Sequence, residues 1–301
     1  MAIAQTRRFG ILLVLVATVM WSMAGLFVRM ADMDIWSFLG WRSVFTTMIL
    51  GGWLAHDRLH HRTVARSFGL PGFAMTAISV LGNLTYIAAL TWTSVANVMT
   101  IYATLPFLAG LIAYLWLRER VSARFVIAGL VAFAGVCTMV GAAFAPRDLM
   151  GIIAAAIMTL CFATQLVVSR RYPTLDTLRM VTMGAALCLI IALPFMQTGI
   201  PSAKSLLACA LYGGITTGLG YILVLIGSRI IGAGEAGFLS ILDVVLGPVW
   251  VWAFYAEQVT RATLVGGTAV LLAVIWYLAG SRAADPAPET DLAPEPVTRV
   301  P

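Results

Sequence analysis

The sequence predicts an all-α integral membrane protein whose ten transmembrane helices form two inverted five-helix repeats. Three observations support this fold class: the composition, the number of long apolar segments, and residues that recur at a fixed shift. Of the 301 residues, 61% are hydrophobic and 11% are charged, whereas soluble domains carry about 25% charged residues. A soluble core of this size could not bury so much apolar surface, so the chain is predicted to lie in a membrane.

Ten apolar segments are long enough to cross a bilayer, whose hydrocarbon core of about 30 Å requires about 20 residues per helix. The first is too long for the apolar core of a cleavable signal peptide, so we interpret it as a membrane helix. The predicted spans are residues 10–28, 35–55, 72–90, 95–117, 122–144, 150–169, 177–196, 205–227, 234–255 and 260–280.

The basic residues predict the orientation of these spans. With the N-terminus inside, the inner segments hold 14 Lys and Arg residues and the outer segments hold 4, while Arg42 lies within a span (14 + 4 + 1 = 19). Cytoplasmic loops are enriched in Lys and Arg. We therefore expect both termini to be cytoplasmic, in the inner (plasma) membrane.

A shift of 138 residues (257 − 119) relates the two halves of the chain. It pairs Glu119 with Glu257 and Gly82 with Gly220. Five spans per half is an odd number, so the second half must enter the membrane from the opposite side, a plan that recurs in secondary transporters. The predicted organisation is a cytosolic N-terminus (1–9), a first repeat (10–144), an inverted second repeat (150–280) and a disordered, Pro- and acid-rich cytosolic tail (281–301).

Four stretches resemble the drug/metabolite transporter superfamily in its EamA-type branch: "WSMAGLFVR", "WRSVF", "TLPFLAGLIAYLWLRERVS" and "LDVVLGPVWVWAFYAEQVT". The resemblance covers about residues 10–280 and implies a ten-helix exporter of small metabolites. Similar members include bacterial exporters of amino acids, some of them aromatic, while more distant branches carry nucleotide sugars. The family usually has Glu-Pro where this chain has Asp243-Val244, and here the proline follows later as Pro248.

Two charged residues lie within apolar spans well away from the span ends, where a charge is costly and is a functional candidate by default. Asp243 lies near the middle of the ninth span, where it could contact a substrate amine, take up a proton, or hydrogen-bond a neighbouring helix. Arg42 lies in the second span, where it could bind a substrate carboxylate, meet Asp243, or extend to the outer interface.

Polar and aromatic residues at matching depth form a second set of candidates for a substrate cavity near the midplane. Each of them could instead be an interfacial anchor or a packing residue. The first-half members are Trp21, Ser22, Trp41, Asn83, Tyr86 and Tyr102, and the second-half members are Gln165, Tyr212 and Tyr221. Pro106 and Pro248 fall inside the fourth and ninth spans, where they predict either helix breaks with a gating role or static kinks.

Other classes of function find little support in the sequence. There is no phosphate-cradling loop, no HExxH and no GxSxG, so we expect no catalytic residues, no cofactor and no metal. The basic residues are scattered singly, which argues against nucleic acid. The leading hypothesis is a monomeric secondary transporter that exports amino acids by alternating access, with protons as a candidate coupling ion. The alternatives are a carrier of drug-like compounds or nucleotide sugars, and a membrane-embedded enzyme.

Overall fold

A computed structural model describes residues 2–59, 68–119, 122–140, 148–255 and 261–283, and within them every regular element is helical. The first half contains α1 (Ala2–Ser22), α2 (Ala24–Ala31), α3 (Ile35–Leu59), α4 (Gly69–Trp92), α5 (Val95–Tyr102), α6 (Leu105–Leu117) and α7 (Ala123–Val140).

The second half contains a comparable series that starts at Leu149. Its elements are α8 (Leu149–Arg171), α9 (Thr177–Ala192), a 3-10 turn (Leu193–Phe195), α10 (Ala203–Leu211), a π-helix (Tyr212–Gly220), α11 (Tyr221–Ile230), α12 (Ala233–Ser240), α13 (Leu242–Tyr255) and α14 (Arg261–Ala283). Most of the predicted tail lies outside the described residues, and α14 extends three residues into it.

Eight helical segments of the described chain are long and apolar enough to cross a membrane, and Ala123–Met139 is apolar but shorter. The α3 helix, which carries Arg42, has 25 residues, a length that also suffices to cross a bilayer. Several crossings combine two or three of the elements above, such as α5 with α6 and α12 with α13. The protein is thus the all-helical, multi-pass membrane fold that the sequence predicts.

Helix boundaries repeat at the shift that the sequence indicates. Adding 138 to α5, residues 95–102, gives α12, residues 233–240. The starts of α7 and α14, at residues 123 and 261, differ by the same number, as do the ends of α4 and α11, at residues 92 and 230. The two halves therefore share one plan down to individual helix ends.

The fourth and ninth crossings are each interrupted at equivalent places, Ala103 and Ile241. At both breaks the backbone forms tight i to i−3 bonds, from the Thr104 amide to the Ile101 carbonyl (3.0 Å) and from the Ile241 amide to the Phe238 carbonyl (3.3 Å). Pro106 follows the first break within the opening turn of α6, where its missing N–H costs nothing.

Of the two alternatives for Pro248, a helix break or a static kink, the structure contradicts the break. The α13 helix continues through Pro248, and the interruption lies seven residues earlier at Ile241 (248 − 241 = 7). The physical reason is that the packing shared by the two repeats sets the position of the break, whereas a proline inside a helix removes one bond without ending the helix.

The two halves pack closely at the N-terminal face, meaning the side of the molecule on which α1 begins. A Cβ atom added to Gly227 of α11 would lie 2.6 Å from the Val14 side chain of α1. On Gly234 of α12 it would lie 3.2 Å from the Cα of Gly110 in α6. Small residues let these helices approach to backbone contact, as they do in other membrane proteins.

Candidate functional site

A cavity of about 220 Å³ lies between the two halves, about midway along the helices. Both repeats contribute to its wall. The polar and aromatic residues of its lining include Trp21, Arg42, Ser79, Asn83, Tyr86, Tyr102, Phe162, Gln165, Tyr212, Thr216, Thr217, Tyr221 and Asp243.

Arg42 is the cationic side of this cavity. It is 5% exposed, so it does not extend to the membrane interface. One guanidinium nitrogen donates to the Asn83 amide oxygen at 2.7 Å and another to the Thr217 hydroxyl at 3.1 Å. The guanidinium carbon lies 5.0 Å from the centre of the Tyr212 ring. Its Nε has no partner, and no carboxylate of the described residues forms an ion pair with it.

Asp243 is the acidic side of the cavity and lies in the first turn of α13, directly after the break at Ile241. An acid in this position is favoured by the partial positive charge of the helix start. Its Oδ1 is buried and has no hydrogen-bond partner among the described residues. Asp243 and Arg42 therefore face one cavity without an ion pair between them.

Aromatic rings form a continuous part of the wall, with Phe162 at their centre. Its ring lies 5.2 Å from Trp21 in an edge-to-face arrangement, and it stacks at 6.2 Å on Tyr221 and at 6.4 Å on Tyr102. Such pairs contribute about 0.5–1.5 kcal/mol each beyond burial. The four rings thus form one contiguous aromatic part of the cavity wall.

Polar contacts hold the remaining predicted residues in place. The Tyr221 hydroxyl donates to the Gln165 side-chain oxygen, and Gln165 is 2% exposed. The Asn83 amide also donates to the Ser79 carbonyl at 2.9 Å, so its oxygen is free to accept from Arg42. The structure thus brings together nine of the eleven predicted cavity residues: Trp21, Arg42, Asn83, Tyr86, Tyr102, Gln165, Tyr212, Tyr221 and Asp243.

Ser22 and Trp41 do not line this cavity. The Ser22 hydroxyl is buried and accepts a hydrogen bond of 2.7 Å from the Trp250 indole, so it joins α1 to α13. Trp41 lines a second, more polar cavity at the opposite end of the helices from the N-terminal face. Their expected place in the substrate cavity is therefore corrected, because neighbouring positions on a helix point about 100° apart.

The sequence did not single out Phe162 or Thr217. Phe162 is three residues before Gln165, so a helical projection from Gln165 would have placed it on the same face. Thr217 is four residues before the candidate Tyr221, so the same projection would have placed it on that face as well.

At the N-terminal face, two ion pairs join the first half to the second. Arg7 of α1 lies 2.6 Å from Glu235 of α12, whose side chain is 9% exposed. Glu119, just after α6, pairs with Arg170 near the end of α8. Arg170 also donates to the Ile231 carbonyl at 2.8 Å, so the pair is anchored to the loop before α12.

No group of three or more His, Cys, Asp or Glu side chains in the described part of the chain is arranged to hold a metal ion. The described cysteines, Cys137, Cys161, Cys188 and Cys209, are free thiols.

A comparison with models of protein families shows to which family this chain belongs. The model of the EamA-like transporter family matches residues 8–141 and again residues 149–279. The chain belongs to the EamA-like transporter family. The double match also confirms the resemblance to the drug/metabolite transporter superfamily and the two-repeat fold class that the sequence predicts.

Among solved structures, this EamA-like chain is similar to one titled "Crystal structure of protein", with a TM-score of 0.78 and 21% identity. The alignment covers 89% of this chain and 98% of that chain, so the similarity concerns the fold. No curated protein matches.

Proposed function

We propose that this EamA-like transporter is a secondary carrier that exports amino acids, including aromatic ones, by alternating access around the cavity between its repeats. The observation that carries the proposal is the pair of unmatched charges. Arg42 and Asp243 line one cavity, each keeps a polar atom without a partner among the described residues, and no ion pair joins them. An amino acid supplies a carboxylate for the arginine and an ammonium group for the aspartate.

The energetics favour a zwitterionic substrate over a singly charged one. A charge within the membrane costs several kcal/mol unless it is paired or faces water. A zwitterion would satisfy Arg42 and Asp243 together, since arginine binds carboxylates through directed hydrogen bonds. The rings around Phe162 offer an apolar surface to a side chain, which supports aromatic amino acids within this class.

Alternating access is supported by the closed N-terminal face. The Arg7–Glu235 and Glu119–Arg170 pairs each join one repeat to the other there. The cavity residues, in contrast, come from the middle of the helices. Opening these two pairs while the opposite side closes would expose the same cavity to the other compartment. In this proposal the N-terminal face is the cytoplasmic one, both termini are cytoplasmic, and the monomer works in the inner membrane.

Asp243 is also the proposed site of proton coupling. It is a carboxyl group in the cavity with an oxygen that no described residue engages. A proton and a substrate ammonium group would compete for it, which links substrate release to proton uptake.

Nucleotide sugars fit the cavity less well. Their phosphates require several cationic side chains, and among the described residues lining the cavity Arg42 is the one cation. A cationic drug-like compound would leave Arg42 without an anionic partner.

The test is counterflow in liposomes that contain the purified protein. Internal unlabelled phenylalanine is expected to drive saturable uptake of labelled phenylalanine, and internal nucleotide sugar is not. Arg42→Gln and Asp243→Asn are each expected to weaken uptake, whereas Thr138→Val, whose hydroxyl bonds its own helix at 2.9 Å, serves as a matched control. Absence of counterflow with every amino acid would refute the proposal.

A further inference from the structure

The eighth crossing contains a π-helix of nine residues, Tyr212–Gly220, between α10 and α11. π-Helices are rare, occur mostly as single turns and are frequent at functional sites. Its counterpart in the first repeat, residues 74–82 (212 − 138 and 220 − 138), is part of the ordinary α-helix α4. The two repeats therefore differ at this stretch, and the stretch lines the cavity.

The spacing of the cavity residues differs accordingly. In α4 they are Ser79, Gly82, Asn83 and Tyr86, at offsets of 3, 4 and 7 that suit an α-helix. In the eighth crossing they are Tyr212, Thr216, Thr217 and Tyr221, at offsets of 4, 5 and 9. Those offsets suit a helix that closes i to i+5 bonds.

The rotation per residue explains the difference. An α-helix turns about 100° per residue, so nine residues would place Tyr212 and Tyr221 about 180° apart. A π-helix turns about 80° per residue, so the same nine residues bring them to within about 20° of each other. Only the π-helical register directs both tyrosines, with Thr217 between them, into the cavity.

This register also creates the contacts that hold the site. The Thr217 hydroxyl accepts from the Arg42 guanidinium at 3.1 Å, and the Thr216 carbonyl accepts from the Trp21 indole at 3.0 Å. The Tyr212 ring lies 5.0 Å from the same guanidinium. Three contacts from one π-helix thus fix the cationic residue and one edge of the aromatic wall.

Close packing against α3 keeps the π-helix in place. A Cβ atom on Gly213 would lie 2.5 Å from the Arg42 carbonyl oxygen, and the Gly213 carbonyl accepts from the Thr46 hydroxyl at 2.9 Å. On Gly214 a Cβ would meet only the end of the flexible Ile49 side chain, at 3.1 Å. The backbone of the π-helix therefore rests on the turn of α3 that carries Arg42.

We propose that the π-helical register of Tyr212–Gly220 makes Thr217 a positioning residue, which holds the Arg42 guanidinium towards the cavity for a substrate carboxylate. This inference rests on the proposed function and deepens it, because it assigns carboxylate selectivity to one hydroxyl group. Thr217 acts through Arg42, and Asn83 holds the guanidinium from the other side.

The first test measures selectivity for the carboxylate. Phenylalanine and phenethylamine share the ring and the ammonium group and differ in the carboxylate. In Thr217→Val we expect the KM of phenylalanine counterflow to rise about tenfold, the order expected for a hydrogen bond to a charged group. We expect the inhibition constant of phenethylamine to stay unchanged, and Thr217→Ser to restore the preference for phenylalanine. A preference in Thr217→Val equal to that of the unaltered protein would overturn the inference.

The second test requires no substrate. In a variant whose four native cysteines are replaced by serine, Tyr212→Cys and Tyr221→Cys are expected to react with a polar methanethiosulfonate reagent at similar rates. Leu219→Cys, whose native side chain is 37% exposed on the outside of the bundle, is the unreactive control. Reaction of one tyrosine position at the rate of the Leu219 control would indicate an α-helical register and refute the inference.

The two tests separate the two proposals. If phenylalanine gives no counterflow but both tyrosine positions react, the proposed substrate class is wrong and the register stands. If phenylalanine is transported and Thr217→Val keeps its selectivity, the proposed function stands and the role of Thr217 is refuted.

Discussion

Replacing Glu235 by glutamine removes the negative charge of an ion pair that joins the two repeats at the N-terminal face. The Arg7 and Glu235 side chains are 2.6 Å apart, with exposures of 24% and 9%. The loss of a buried ion-pair partner costs about 3–5 kcal/mol. Since Arg7 is partly solvated and glutamine keeps one acceptor, about 2 kcal/mol is the expected loss here, which changes an equilibrium about thirtyfold.

This loss should destabilise the conformation in which the N-terminal face is closed, because Arg7 and Glu235 can pair only when α1 and α12 meet at that face. A cysteine at Ala113 reports the opening. Ala113 is 2% exposed and lies on α6, which packs against α12 and α8 of the second repeat. With the native cysteines replaced by serine, Glu235→Gln should raise the rate of Ala113→Cys modification by an impermeant thiol reagent about thirtyfold.

Two controls decide the interpretation of that rate. The exchanged pair Arg7→Glu with Glu235→Arg should return it towards the starting value, since the ion pair is restored with reversed polarity. Tm measurements in detergent distinguish opening from unfolding. An unchanged modification rate in a folded Glu235→Gln protein would refute the view that this pair closes the face.

Three further predictions address the cavity. Asp243→Asn should abolish the dependence of flux on a pH gradient in proteoliposomes while Asp243→Glu retains part of it, and unchanged gradient-driven flux would exclude Asp243 as the proton site. Phe162→Ala should weaken binding of phenylalanine about two- to tenfold, as expected from the loss of one aromatic pair, and leave alanine binding unchanged in a competition assay. Gly213→Ala should lower Tm by several degrees because overpacking costs about 1–3 kcal/mol. Gly214→Ala is the control, because its added methyl group meets only a flexible side chain. Equal Tm values for the two variants would contradict the close contact of Gly213 with Arg42.

The bilayer explains why so much of the fold could be predicted. A fixed hydrocarbon thickness sets the length of each span, so apolar runs locate the crossings. The shift of 138 residues between Glu119 and Glu257 also separates several equivalent helix ends in the structure. Glu257 itself lies outside the described residues. Arg42 and Asp243 were identifiable because a charged residue inside an apolar span is energetically costly and therefore rare.

The errors arose where direction around a helix matters. Ser22 follows Trp21 directly, and depth alone could not show that one faces the cavity and the other faces Trp250. Phe162 carries no polar group, so a search for polar residues passes over it, although its spacing of three from Gln165 places it on the same helix face. The π-helix depends on contacts between α3 and glycines far away in sequence, which local propensity does not encode.

The two charges occupy positions whose repeat equivalents are apolar. Adding 138 to Arg42 gives Met180, and subtracting 138 from Asp243 gives Leu105, and both equivalents are fully buried. The repeats nevertheless share several helix ends and the breaks at Ala103 and Ile241. They differ in the two charged residues that we propose to meet a substrate. A cavity with a basic residue from the first repeat and an acidic residue from the second would bind a zwitterion in a single orientation. In the reversed orientation the substrate carboxylate would face Asp243 and its ammonium group would face Arg42.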